Sequence, residues 1–160
     1  MMKLITSGMF VVGMASVPVA LTPHQAPPAI PTPAPDYRND PRLETLRSFF
    51  HRAECPAENY AADFLAAADY NELDWRLLPS ISYLESTGGK ASRNNNMFGW
   101  DSGNAQFSSP VEGIHAVGYR LSHSELYKDK ELDKILATYN PDLDYGRKVK
   151  SVMRRIAPSE

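Results

Sequence analysis

From about Arg42 onward, apolar residues recur at intervals of three and four, and the pattern persists to the end of the chain. That spacing belongs to helices that bury one face. Leu43, Leu46, Phe49 and Phe50 form one stripe, and Tyr60, Phe64, Ala67 and Ala68 the next. Leu77, Leu78, Ile81 and Leu84 form a third, for which Asp74 is the expected N-cap. Counted from Asp74, Pro79 falls in the second turn and removes the bond back to Trp75, which predicts a kink or a late start. Ile114, Val117 and Leu121 resume the spacing, followed by Leu132, Ile135, Leu136 and Tyr139, then Val149, Met153 and Ile156. No stretch alternates with a period of two. The pattern therefore predicts an all-α domain of roughly six short helices around one core, with little or no β-lobe. A polar, Gly- and Asn-rich loop from Gly88 to Gly103 interrupts it, and a long loop inside a compact domain is usually functional.

The first forty residues read differently. Lys3 followed by the apolar run Leu4 to Leu21 has the layout of a secretory signal, although Ser7, Gly8, Gly13, Ser16 and Pro18 weaken it as a permanent span. Residues 1–20 are thus expected to be a signal peptide or an N-terminal anchor. Residues 21–41 carry prolines at 23, 27, 28, 31, 33, 35 and 41, the composition of a semi-stiff extended linker. The globular domain is expected over 42–158. An exported product follows, destined for periplasm, cell envelope or extracellular space, with membrane contact only through an uncleaved N-terminus.

Composition narrows the function classes. A hydrophobic fraction of 42% and a charged fraction of 22% are ordinary for a globular domain. A formal charge of −2 argues against sequence-blind nucleic-acid binding, which requires a basic surface. The late cluster Arg147, Lys148, Lys150, Arg154 and Arg155 reads first as a solvated helix face, and second as contact with an anionic wall polymer. Cys55 is the sole cysteine, and its neighbours Glu54 and Pro56 do not favour a thiolate. The four histidines form no tight ligand pair, so neither a metal nor another cofactor is expected.

Glu85 breaks the pattern. It continues the spacing of Leu78 and Ile81 and so falls on the apolar face, where an unpaired carboxylate is costly. Half-burial of a carboxyl there would favour the protonated form that a general acid needs. The plain alternative is a helix-end glutamate that turns to solvent or pairs with Arg93. Beyond it, Asn94, Asn95, Asn96, Met97, Phe98, Gly99 and Trp100 combine amides with two aromatic faces. Amides suit sugar hydroxyls and N-acetyl groups, and aromatics stack on sugar rings. An ordinary polar loop with two core-anchoring aromatics has the same composition.

Three separated blocks together resemble the lysozyme-like superfamily, in particular its glucosaminidase branch of bacterial autolysins (mannosyl-glycoprotein endo-β-N-acetylglucosaminidase-like). Asp74 to Gly89 resembles the active-site helix with its Glu-Ser ending, a block shared with lytic transglycosylases. Asn95 to Trp100 resembles the Asn-x-Phe-Gly signature. Phe107, Ser109, Gly113 and Ile114, joined to Tyr139 and Tyr145, make the third block; a Tyr–Asn pair such as Tyr139–Asn140 also occurs in transglycosylases. The resemblance spans Tyr60 to Ile156, most of the predicted domain.

The resemblance implies a lysozyme-like fold, a peptidoglycan substrate and cleavage of β-1,4 bonds between N-acetylglucosamine and N-acetylmuramic acid by a monomer. It carries over Glu85 as general acid and Tyr139 as a cleft residue close to the chemistry. Asn95, Asn96, Phe98, Gly99, Trp100, Asp101 and Asn140 would bind substrate, with Phe98 and Trp100 as cleft walls. One departure stands out. Only Asp101 to Gln106 separate Trp100 from Phe107, too few residues for the hairpin lobe that presents a second carboxylate in many glucosaminidases. Glycosidases normally use two carboxyl groups. The second role is therefore open among Asp101, Glu112 and the substrate's own groups. A lytic transglycosylase leaving an anhydro end, and a non-catalytic glycan-binding protein, are the alternative readings.

Overall fold

The computed structural model describes residues 35–158, and the described residues form an all-α domain. Six helices make it: α1 (Pro41–Arg52), α2 (Ala61–Tyr70), α3 (Leu77–Ser86), α4 (Pro110–His123), α5 (Leu132–Tyr139) and α6 (Tyr145–Ile156). A 3-10 turn over Pro56–Tyr60 leads into α2, and another over Asp101–Gly103 lies in the central loop. The only β pairing among the described residues is an isolated bridge between Arg93 and Asn96. The predicted signal or anchor, and residues 21–34 of the predicted linker, lie outside the described residues. No helix among the described residues is long and apolar enough to cross a membrane.

The predicted stripes are the core. Leu46, Phe50, Phe64, Leu78, Ile81, Ile114, Leu121 and Leu136 are fully buried. α3 packs on α6, and α2 on α4, so the end of α3 meets the start of α6. α3 starts late, one of the two outcomes predicted at Pro79, and its N-cap is Arg76 rather than the expected Asp74. Asp74 turns its carboxylate onto the Arg76 amide, the Leu77 amide bonds the Asp74 carbonyl, and the helix begins at Leu77. Pro79 then lies in the first turn, where its missing N–H has no intrahelical partner to lose. The basic residues of α6 lie opposite its buried stripe of Val149, Val152, Met153 and Ile156. Arg147, Lys148 and Lys150 pair there with Asp144, Asp142 and Asp133.

The folded unit begins earlier than composition predicts. Tyr37, assigned to the proline-rich linker, is buried and donates its hydroxyl to Asp69 at 3.0 Å. Burial pushes its ionisation up to about 12, so it remains a donor at every ordinary pH. Asp40 caps α1 by accepting from the Arg42 amide, and Arg42 reaches on to Asp69 at 2.7 Å. A chain beginning at Asp40 keeps the cap but loses the anchor. Relative to a chain beginning at Pro35, it is expected to lose about 2 kcal/mol, the worth of one large buried side chain, measured by thermal or urea denaturation. Equal stability of the two chains would show that Tyr37 contributes nothing.

Candidate active site

Glu85 is the penultimate residue of α3. The helix stops because Thr87 takes a left-handed conformation at φ +53° and its amide bonds the Tyr83 carbonyl, while Gly88 bonds the Ser82 carbonyl. Gly88 is required at this point. A Cβ there would lie 2.8 Å from the Cβ of Cys55, and φ is +60°. The loop is thereby pressed onto the turn before α2, which also buries Cys55 and pushes its thiol up through desolvation. Ser86, buried beside Glu85, donates to the Met97 carbonyl at 2.7 Å and accepts from the Gly89 amide. The Glu-Ser ending thus has a physical division of labour: Ser86 staples the central loop to α3, and Glu85 faces outward.

Glu85 is exposed, not half-buried as its periodicity suggests. It sits in the last turn, and the left-handed exit at Thr87 carries away the residues that would otherwise cover it. Its carboxylate is nevertheless held. Tyr145, at the start of α6, donates its hydroxyl to Glu85 Oε1 at 2.7 Å. A Cβ on Gly99 would stand 2.9 Å from Glu85 Oε2, so this glycine, at φ +61°, lets the loop lie directly against the carboxylate. The described hydrogen bond of Glu85 runs to Tyr145, not to Arg93. Burial, and then the Glu85 hydrogen bond, raise the Tyr145 phenol far above its ordinary range, so it acts only as a donor.

Gly99, which lies against this carboxylate, also lines a cavity of about 630 Å³ together with Trp100, Asp101, Arg120, Tyr127 and Tyr139; Glu85 itself stands behind Gly99 and is not part of the lining. Trp100 is its centrepiece. Its ring meets Tyr139 edge-on at 5.6 Å and Tyr127 at 6.0 Å, and the Arg120 guanidinium lies 5.5 Å from its centroid. Tyr139 and Tyr145 stack at 5.8 Å with ring planes 10° apart, linking the cavity wall to Glu85. Asp101 is exposed on the 3-10 turn at the cavity, at φ +53°.

Several residues expected to bind substrate are instead committed to the fold. Phe98 is fully buried and packs edge-on against Phe64 at 6.2 Å; it is core, not a cleft wall. The Asn95 amide donates to the Phe107 carbonyl at 2.9 Å. Asn96 is buried and clamps Trp100, bonding both its amide and its carbonyl at 3.0 Å. These side chains shape the loop rather than present amides to a sugar. Tyr139 lines the cavity, and its hydroxyl donates to the Phe98 carbonyl. Burial, and then the charge of Glu85, raise its ionisation far above the usual phenol range. Asn140 accepts from the Asp142 amide and lines a separate cavity with Arg147 and Lys150. Ser109 caps α4 by accepting from the Glu112 amide, and the Glu112 carboxylate accepts from the Ser108 amide just before the cap, which occupies one of its oxygens.

Gly99, Trp100, Asp101 and Tyr139 thus gather at one cavity, with Glu85 behind Gly99. Tyr145 has no role evident in the sequence beyond the third block of the resemblance, and neither Arg120 nor Tyr127 stands out there. Arg120 carried a usable signal, since it lies three residues from buried Val117, at the edge of the α4 stripe. Comparison of the chain with family models, with curated proteins and with solved structures found no match, so the lysozyme-like resemblance stands on its own motif residues alone.

Proposed function

We propose that this protein is an exported peptidoglycan hydrolase that cleaves β-1,4 bonds in glycan strands, with Glu85 as general acid. The observation that carries the reading is the position of Glu85: exposed at a helix end, held by Tyr145, and packed against Gly99, which with Tyr139 borders an aromatic-lined cavity. An exposed but immobilised carboxyl can reach a glycosidic oxygen, as a general acid must. It would pass its proton to that oxygen as the bond to the anomeric carbon breaks, and water would complete the reaction at that carbon. Trp100 offers the ring on which a sugar stacks. With the Glu112 carboxylate engaged by the Ser108 amide, the second role falls to Asp101 or to the substrate's N-acetyl group. The protein is expected to act as a monomer, outside the cytoplasm, without a cofactor. Loss of turbidity from purified wall sacculi tests the reading, and intact sacculi after prolonged incubation would refute it.

Tyr145 would be a positioning residue for Glu85. Tyr145→Phe keeps the buried ring and removes the donor, so turnover is expected to fall on the order of tenfold, the scale of one hydrogen bond to a charged group. The Michaelis constant should change little, because the lost contact is to the enzyme's own acid. A raised Michaelis constant with unchanged turnover would place Tyr145 in binding instead.

A further inference from the structure

Tyr83 and Glu85 stand two positions apart on α3, a spacing that turns them to different sides of the helix. On the Tyr83 side lies a cavity of about 340 Å³ lined by Phe49, Arg52, Ala53, Tyr83 and Arg155, with two arginines and no acid. Arg52 ends α1, and Arg155 lies in the last turn of α6. Cations at helix ends often do no more than complement the helix dipole. Here other side chains take that part: Lys90 donates to the Ala53 carbonyl at 3.2 Å, and Arg76 to the Ala157 carbonyl at 2.9 Å. Arg155 instead lies over the rings of Phe49 at 5.6 Å and Tyr83 at 5.3 Å. Two rings beneath a guanidinium fix its plane and leave its N–H edge for a ligand. Among the described residues, Arg52, Arg155 and the Tyr83 hydroxyl have no hydrogen-bond or acid partner, whereas Arg147 and Lys150 on α6 pair with Asp144 and Asp133.

We infer that Arg52, Arg155 and Tyr83 form a binding site for a phosphate group of a phosphodiester chain, separate from the cavity at Gly99 and Trp100. Two guanidinium forks carry more paired donors than one carboxylate accepts, while a phosphate presents an O–P–O edge to each. The Tyr83 hydroxyl adds a neutral donor. A linear chain can lower one phosphate into a concave cavity. A bilayer, which presents its headgroups as a sheet, suits such a cavity less well.

The test is titration calorimetry of the full chain with a short poly(glycerol phosphate) oligomer. This probe contains no glycan bond, so its result is separate from that of the proposed function. Saturable binding is expected, displaced by inorganic phosphate but not by acetate at equal ionic strength. Arg52→Gln and Arg155→Gln should each weaken binding on the order of tenfold, the scale of a hydrogen bond to a charged group. Arg155→Lys should fall between, because it keeps the charge and loses the fork. If Arg155→Gln lowers the melting temperature through its lost ring contacts, Arg52→Gln, which stacks on no ring, still reads the site. Lys134→Gln removes an exposed charge on α5, away from this cavity, and should change affinity less than about twofold. Equal losses at Arg52, Arg155 and Lys134, or displacement by acetate as readily as by phosphate, would reduce the site to general charge attraction and overturn the inference. Absence of binding overturns it too. So does Arg52-dependent binding to equimolar phosphatidylglycerol–phosphatidylcholine vesicles without binding to the oligomer, which would give the site to a membrane surface.

Discussion

Glu85→Gln is expected to lower lysis of wall sacculi by roughly 10²–10⁴-fold, the usual contribution of general acid catalysis. The amide cannot donate the required proton, yet its oxygen can still accept from the Tyr145 hydroxyl. Because Glu85 is exposed and isosteric with glutamine, the melting temperature should move little. Helical circular dichroism and a thermal melt would therefore match the unaltered protein while turbidity loss disappears. Lysis within about threefold of wild type, far short of the general-acid contribution, would remove Glu85 from the chemistry.

The second large effect falls on stability. Phe98 has no exposed surface and packs against Phe64, so Phe98→Ala is expected to cost about 3–5 kcal/mol through lost burial and the cavity left behind. In a domain of this size that corresponds to roughly 10–20 °C in melting temperature. The loop would suffer as well, since the Phe98 carbonyl is the acceptor for Tyr139. Trp100→Ala should behave oppositely. Its half-exposed ring faces the cavity, so the melt should move less and the affinity for glycan fragments should fall, because a stacking face serves ground and transition states alike. A Trp100→Ala protein that melts as low as Phe98→Ala but binds fragments normally would make both residues core anchors.

These contrasts mark where sequence is and is not informative. The helices were legible because each buries a stripe, and a stripe repeats in sequence. At α3, Pro79 signalled a kink or a late start, and the helix takes the second. Depth was harder. Periodicity gives the angle of Glu85 around its helix, but a last turn projects past the core, and only the exit at Thr87 shows that the carboxylate is exposed. The central loop was legible as a functional region but not residue by residue. Asparagines that bind sugars and asparagines that clamp their own loop have the same composition; the partners of Asn95 and Asn96 decide between them, and Phe107 lies 12 residues from Asn95. Phe98 and Trp100 differ by two positions and end on opposite sides of the wall. Tyr37 was hidden for another reason: one aromatic among prolines has no period to betray it. Tyr145 reaches Glu85 across 60 residues of chain, a pairing no local pattern encodes.

The most direct measurement of the central claim is the mass of soluble fragments released from purified sacculi. Hydrolysis by Glu85 predicts fragments with free reducing ends, each heavier by one water than the corresponding anhydro product, and none from the Glu85→Gln protein. Anhydro-ended fragments would replace hydrolysis with intramolecular displacement by the sugar's own 6-hydroxyl. No fragments at all from the unaltered protein would contradict the account and leave a glycan-binding domain in its place.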